Sequence, residues 1–137
     1  MRKTVLSLFF FAALLAGAAP QAFAQEPQEP DVNQIIDTQL ENLTRLLNLD
    51  DVQLFFVDSI LQYNYPAMMD EVTRTRKTGA SNSETYQVIS DKWMAATDEA
   101  LEKILSEEQW KRYMKSSYGK EKKRRDKRIG ERNPQNP

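Results

Sequence analysis

The sequence predicts an all-α protein. Apolar residues recur at three- and four-residue steps in four successive segments, and no segment alternates with the period of two that a half-buried strand requires. A hexamer suited to a helix start is spelled twice, as "LDDVQL" (Leu49 to Leu54) and "LSEEQW" (Leu105 to Trp110).

Arg2 and Lys3 precede a short apolar run, Val5 to Ala16, and "AFA" at Ala22 to Ala24 offers the small residues a signal peptidase reads. The run is shorter than the roughly 20 residues a membrane span needs. Residues 1–24 are therefore expected to be a signal peptide cleaved after Ala24, which makes the mature chain an exported protein. "QEPQEP" then forms a flexible leader over 25–30. A helical domain is expected over 31–118, followed by a basic, partly disordered tail over 119–137.

Asp31 is the expected N-cap. After it Val32, Ile35, Ile36, Leu40, Leu43, Leu46 and Leu47 share one stripe of a first helix, opposite Gln34, Asp37, Glu41 and Arg45. A second helix starts after Asp50 and places Val52, Phe55, Phe56, Ser59, Ile60 and Tyr63 on one inward face. Leu54, Val57 and Leu61 widen that face, so this segment is expected to be the most enclosed. Pro66 lacks an amide hydrogen and clashes with the carbonyl four residues back, so a kink is expected near Tyr65, with the helix running on to about Lys77. "TGASNS" (Thr78 to Ser83) is a turn, with Gly79 as the stop and Ser81 or Ser83 as the next cap. A third helix puts Tyr86, Ile89, Trp93, Ala96, Ala100, Leu101 and Ile104 on one face. A fourth starts after Ser106 and turns Trp110, Tyr113, Met114 and, at its end, Tyr118 inward, with Gly119 weakening it. Beyond it "KEKKRRDKR" has no apolar face; its alternating charges, such as Glu121 and Arg125 at an i,i+4 spacing, are compatible with a continued helix, and the run is expected to be solvated. The four helices form two hairpins, first with second and third with fourth.

The hexamers have a physical reading as corners. With Asp50 or Ser106 as N-cap, the side-chain oxygen accepts from the amide of Gln53 or Gln109, whose side chain reaches back to the cap's own amide. Leu49 with Leu54, and Leu105 with Trp110, then occupy the positions of a hydrophobic staple. Each such cap contributes on the order of 1 kcal/mol.

Each copy also resembles the "LTxxQ" motif of the periplasmic Spy/CpxP family, which carries two copies per chain. "LLNLDDVQ" (Leu46 to Gln53) is similar to the first copy and "LEKILSEEQWKRY" (Leu101 to Tyr113) to the second. The resemblance spans most of Leu40 to Arg128, with Asp50 where the family prefers Thr. It implies an open, curved helical scaffold forming an antiparallel homodimer. The function it implies is ATP-independent, chaperone-like binding of unfolded or partly folded envelope proteins. The alternative it carries is a periplasmic regulator that binds a membrane-bound envelope-stress sensor. A structural helical module is the third reading.

Composition narrows the chemistry. The chain has no Cys and no His, so it has no disulfide framework, and it lacks the commonest general base and metal ligand. Adjacent acids such as Asp50-Asp51, Asp70-Glu71, Asp98-Glu99 and Glu107-Glu108 point about 100° apart on a helix and do not converge on a reacting atom. They are read as solvated helix surface. No phosphate loop or nucleophile elbow is present, so neither enzymatic activity nor a cofactor is expected.

Met68, Met69, Met94 and Met114, with Phe55, Tyr63 and Tyr65, read either as core filling or as an adaptable contact surface. The candidate client-binding residues are Tyr63, Tyr65, Met68, Met69, Arg74, Arg76 and Lys77. Lys120 to Arg132 holds eight Lys/Arg against three Asp/Glu, whereas residues 25–118 hold nine against seventeen. This basic end on an acidic body suits attraction of acidic clients or weak contact with anionic lipid. Export argues against a nucleic-acid partner.

Overall fold

The computed structural model describes residues 31–79 and 82–134. The expected signal peptide, its cleavage point and the leader lie outside the described residues, as do Ser81 and residues 135–137. Among the described residues there are five helices and no strand: α1 (Val32–Leu47), α2 (Asp51–Lys77), α3 (Ser83–Ile104), α4 (Glu107–Lys115) and α5 (Ser117–Arg132). None of these helices is long and apolar enough to cross a membrane.

The helix ends follow local chemistry. Asp31 caps α1 through the amide of Asn33 at 3.0 Å. Asn48 closes α1 in the left-handed region at φ 53°, a conformation that Asn tolerates better than most residues. Gly79, at φ 72°, lies just past the end of α2. The cap of α3 is Asn82, not the serine expected from the sequence; its side-chain oxygen accepts from the Thr85 amide at 2.8 Å. Asn and Ser serve equally well at that position, so composition alone does not separate them.

The α1 stripe packs as its periodicity predicts. Ile36, Leu43 and Leu47 are buried, Val32, Leu40 and Leu46 pack against them, and Gln34, Asp37, Glu41 and Arg45 face solvent. α2 continues as one helix through Pro66. Pro66 withholds one amide from the exposed Gln62, where water is at hand.

Two expectations are corrected by α2 and α3. On α2 the buried stripe is Val57, Leu61 and Asn64, while Val52, Phe55, Phe56, Ser59 and Tyr63 face outward. Both faces of this helix are apolar, so spacing does not distinguish inside from outside. Asn64 decides the matter, because its amide donates to Thr97 Oγ1 at 2.9 Å across the α2–α3 interface. On α3 Ile89 and Leu101 are buried as expected, but Asp91, Thr97 and Asp98 are buried with them and Ala96 is exposed.

The buried aspartates are explained by the part of the chain expected to be a solvated tail. The α4 helix ends at Ser116, whose hydroxyl donates to the Tyr113 carbonyl at 2.6 Å and accepts from the Tyr118 amide at 3.2 Å. The following residues form α5, which packs on α4 and α3. A boundary at residue 118 therefore falls inside a helix. Gly119 has a different role from the one expected: a Cβ there would collide with the Met114 carbonyl oxygen, so the elbow needs a residue without a side chain.

α2 packs along both α1 and α3, and α1 also meets α4. α3 and α4 touch through a side-chain hydrogen bond between Asp98 and Tyr113 rather than by lengthwise packing. The pairing of third with fourth helix is therefore replaced by α3 with α5. Ile36, Leu43, Leu47, Val57, Leu61, Leu101, Leu105 and Tyr113 form the core.

Candidate functional site

The two hexamers sit at helix starts and carry complete capping boxes. At the first, Asp50 Oδ1 accepts from the Gln53 amide at 2.8 Å, and Gln53 Oε1 accepts from the Asp50 amide at 3.2 Å. At the second, Ser106 Oγ accepts from the Gln109 amide at 3.2 Å, and Gln109 Oε1 accepts from the Ser106 amide at 2.9 Å. Leu105 is buried, Leu49 and Trp110 pack against the core, and Leu54 is half-buried.

The corners also bind each other, which the sequence pattern did not reveal. Gln53 Nε2 donates to Gln109 Oε1 at 2.7 Å, and Gln109 Nε2 donates to Gln53 Oε1 at 2.8 Å. The remaining hydrogens go to helix ends: Gln53 Nε2 to the Ile104 carbonyl at 3.2 Å, Gln109 Nε2 to the Leu47 carbonyl at 3.3 Å. Each amide thus uses both donors and both acceptor positions. Each glutamine starts its own helix and holds the last turn of the helix that precedes the other motif. The signal available in the sequence was the repeat itself, since two identical side chains are well suited to pair reciprocally.

A second polar cluster fastens α5. Asp98, 3 % exposed, accepts from Arg125 Nη2 at 2.7 Å and from the Tyr113 hydroxyl at 2.6 Å. Arg125 is itself buried, 6 % exposed. Asp91, 1 % exposed, accepts two bonds from Arg128 at 2.8 and 3.1 Å and one from Arg132 at 2.6 Å. Arg128 also reaches Glu121 at 3.2 Å. Burial pushes the Asp91 carboxyl up, but the Arg128 and Arg132 guanidiniums and the Gln87 amide outweigh it and hold its pKa at about 2. At Asp98 burial dominates over the opposing Tyr113 hydroxyl and Arg125 guanidinium, so that carboxyl is raised. Tyr113 is raised by its burial and by the Asp98 carboxylate. Its ring lies in a stack of three, 5.0 Å from Trp110 and 5.6 Å from Tyr118, whose hydroxyl donates to Gln39 Oε1 at 2.9 Å.

The candidate contact residues do not form one surface. Tyr63 is 72 % exposed, its ring edge-on to Trp93 at 6.5 Å. Tyr65 points the other way: half-buried, it lines a cavity of about 160 Å³ with Leu61, Met94, Asp98, Tyr113 and Arg125. Two residues apart on a helix means a rotation of about 200°, so Tyr63 and Tyr65 cannot share a face. Met68 and Met69 are half-buried. Arg74, Arg76 and Lys77 are exposed in the last turn of α2, Arg74 in an exposed ion pair with Asp70 at 2.9 Å.

The sequence reading reached the outer face of α2 only through Phe55 and Tyr63, two members of its alternative contact surface, and missed the stripe they belong to. Val52, Phe55, Phe56, Ser59, Tyr63 and Pro66 follow at helical spacing and all face solvent, Phe55 at 66 % exposure. The Phe55 and Phe56 rings meet edge to face at 5.6 Å. Among the described residues no group of three or more Asp or Glu side chains is placed to hold a metal ion.

No protein-family model, curated protein or solved structure matches this chain.

Proposed function

We propose that the chain is an exported, ATP-independent chaperone-like protein of the Spy/CpxP type, which holds unfolded or partly folded envelope proteins. The observation that carries this reading is the outer stripe of α2. A helix apolar on both faces normally has a neighbour on each, whereas α2 leaves Val52, Phe55, Phe56 and Tyr63 in water. Single exposed apolar residues are ordinary; a contiguous stripe marks a contact surface. Arg74, Arg76 and Lys77 lie at the far end of the same helix, adding long-range attraction for acidic clients. Non-directional apolar contact with flanking charge suits many sequences loosely, as holding requires. The repeated corners support the reading as well, since they fix the starts of α2 and α4 without using the outer stripe. In this reading the protein works as an elongated antiparallel homodimer.

The test is light scattering from a chemically denatured client diluted into a near-stoichiometric amount of the mature protein. Scattering falls with the wild type and recovers substantially with Phe55→Gln/Phe56→Gln. Unchanged scattering with a folded wild type removes the chaperone reading. Capture of one saturable envelope partner, without promiscuous binding, turns it toward the sensor regulator.

A further inference from the structure

The basic residues of α5 are divided between two faces. Arg125, Arg128 and Arg132 point inward and are consumed by Asp98, Asp91 and Glu121. Lys120, Lys123 and Lys127 follow at three- and four-residue steps on the opposite, exposed side. Among the described residues no carboxylate lies within ion-pair distance of Lys120 or Lys123. Lys127 reaches Glu131 only at 3.9 Å, with both side chains exposed. Exposed Arg124 flanks the stripe, 3.5 Å from Glu121. From Lys120 to Lys127 is about 10 Å along the axis. A Cβ at Gly130, which follows on the same side, would meet nothing within 4 Å among the described residues, so this side of α5 is open there.

We infer that this lysine stripe is a docking surface for an anionic lipid bilayer. Its charge is complementary to a plane of acidic headgroups, and its shape is a straight ridge rather than a groove. The inward arginines fasten α5 to the body, so the stripe is presented on a fixed helix. The acidic remainder of the chain is repelled by the same headgroups, which orients the molecule with α5 toward the membrane. The outward face has no apolar wedge, so contact is adsorption rather than insertion. Single-stranded nucleic acid is a poorer fit, because Trp110, Tyr113 and Tyr118 are packed against the core and leave no stacking platform beside the lysines.

The experiment is co-sedimentation of the mature protein with vesicles of phosphatidylcholine alone or with one third phosphatidylglycerol, at low and high salt. Binding requires phosphatidylglycerol and is lost at about 0.5 M salt, where the screening length is only a few ångströms. The variant Lys120→Gln/Lys123→Gln/Lys127→Gln loses about a hundredfold in partitioning, each lysine contributing roughly fivefold. The comparison variant Lys92→Gln/Lys103→Gln/Lys111→Gln removes the same charge from lysines paired with Glu71, Glu99 and Glu107; it loses far less. Failure of the wild type to bind at low salt overturns the inference, as does an equal loss in both variants. Binding to a DNA duplex as tight as to the anionic vesicles assigns the stripe to nucleic acid instead. Chaperone activity is not read in this assay, so its result is separate from the proposed function.

Discussion

The side chains of Gln53 and Gln109, 56 residues apart in sequence, are joined by two reciprocal amide hydrogen bonds of 2.7 and 2.8 Å. Each also completes a capping box and ties down a carbonyl of the opposite corner. One pair of residues therefore links the α1–α2 corner to the α3–α4 corner.

Removing either glutamine orphans its partner's amide together with a cap amide and a helix-end carbonyl. Gln109, buried where Gln53 is half-buried, is the costlier loss: Gln109→Ala is expected to destabilise by about 3 kcal/mol and Gln53→Ala by about 2 kcal/mol. The double variant loses less than the sum, with a coupling of about 1 kcal/mol or more. Urea denaturation of the four proteins checks this; strictly additive losses would mean that the corners act independently.

Asp98 and Arg125 are a buried pair, and removing one leaves the other charge uncompensated. Asp98→Leu or Arg125→Met alone is expected to cost about 3–5 kcal/mol, and the double variant markedly less than either. The buried Arg125 Nε has no hydrogen-bond partner among the described residues, which favours relief by Met. Denaturation midpoints decide; a double variant worse than both singles contradicts this account of how α5 is held.

Stability should fall at both extremes of pH. The Asp91 pKa is depressed to about 2, so its contribution is full above the unfolded value near 4 and is lost as pH falls toward 2. The loss is on the order of 2 kcal/mol. Asp98, raised by burial, contributes with the opposite sign and partly offsets it. Tyr113 is raised, so its contribution is full below the unfolded value of about 10 and is lost as pH rises beyond that. Melting curves across the range test both limbs. Asp91→Asn should flatten the acid limb, and Tyr113→Phe should flatten the alkaline one.

Gly119→Ala places a methyl group against the Met114 backbone. Despite the better helix propensity of Ala, it is expected to destabilise by about 2 kcal/mol or more and to loosen the α4–α5 elbow. A neutral or stabilising result by thermal melting would show that the elbow adjusts freely.

What the sequence disclosed was local. The all-α class, the α1 stripe, the caps at Asp31, Asp50 and Ser106 and the two boxes depend on residues within a few positions of each other. What it concealed depends on partners far along the chain. The inward face of α2 is set by Asn64 meeting Thr97, and the burial of Asp91 and Asp98 by arginines 27 to 41 residues later. A run such as "KEKKRRDKR" reads as solvated until its partners are known, because a cation facing a buried carboxylate has the same letter as one facing water. The outer stripe of α2 was hidden by its own apolarity, since periodicity assumes that the apolar face is the inner one.

Under the proposed function the outer face of α2 contacts non-native polypeptide. The chain has no Cys, so Phe56→Cys carries one environment-sensitive dye at a defined position on that face, and Glu102→Cys on α3 serves as the control. Titration with a denatured client should shift the position-56 dye to an apolar emission, saturably, and leave the position-102 dye unchanged. No shift at 56 while the client is held, or equal shifts at both positions, would contradict it.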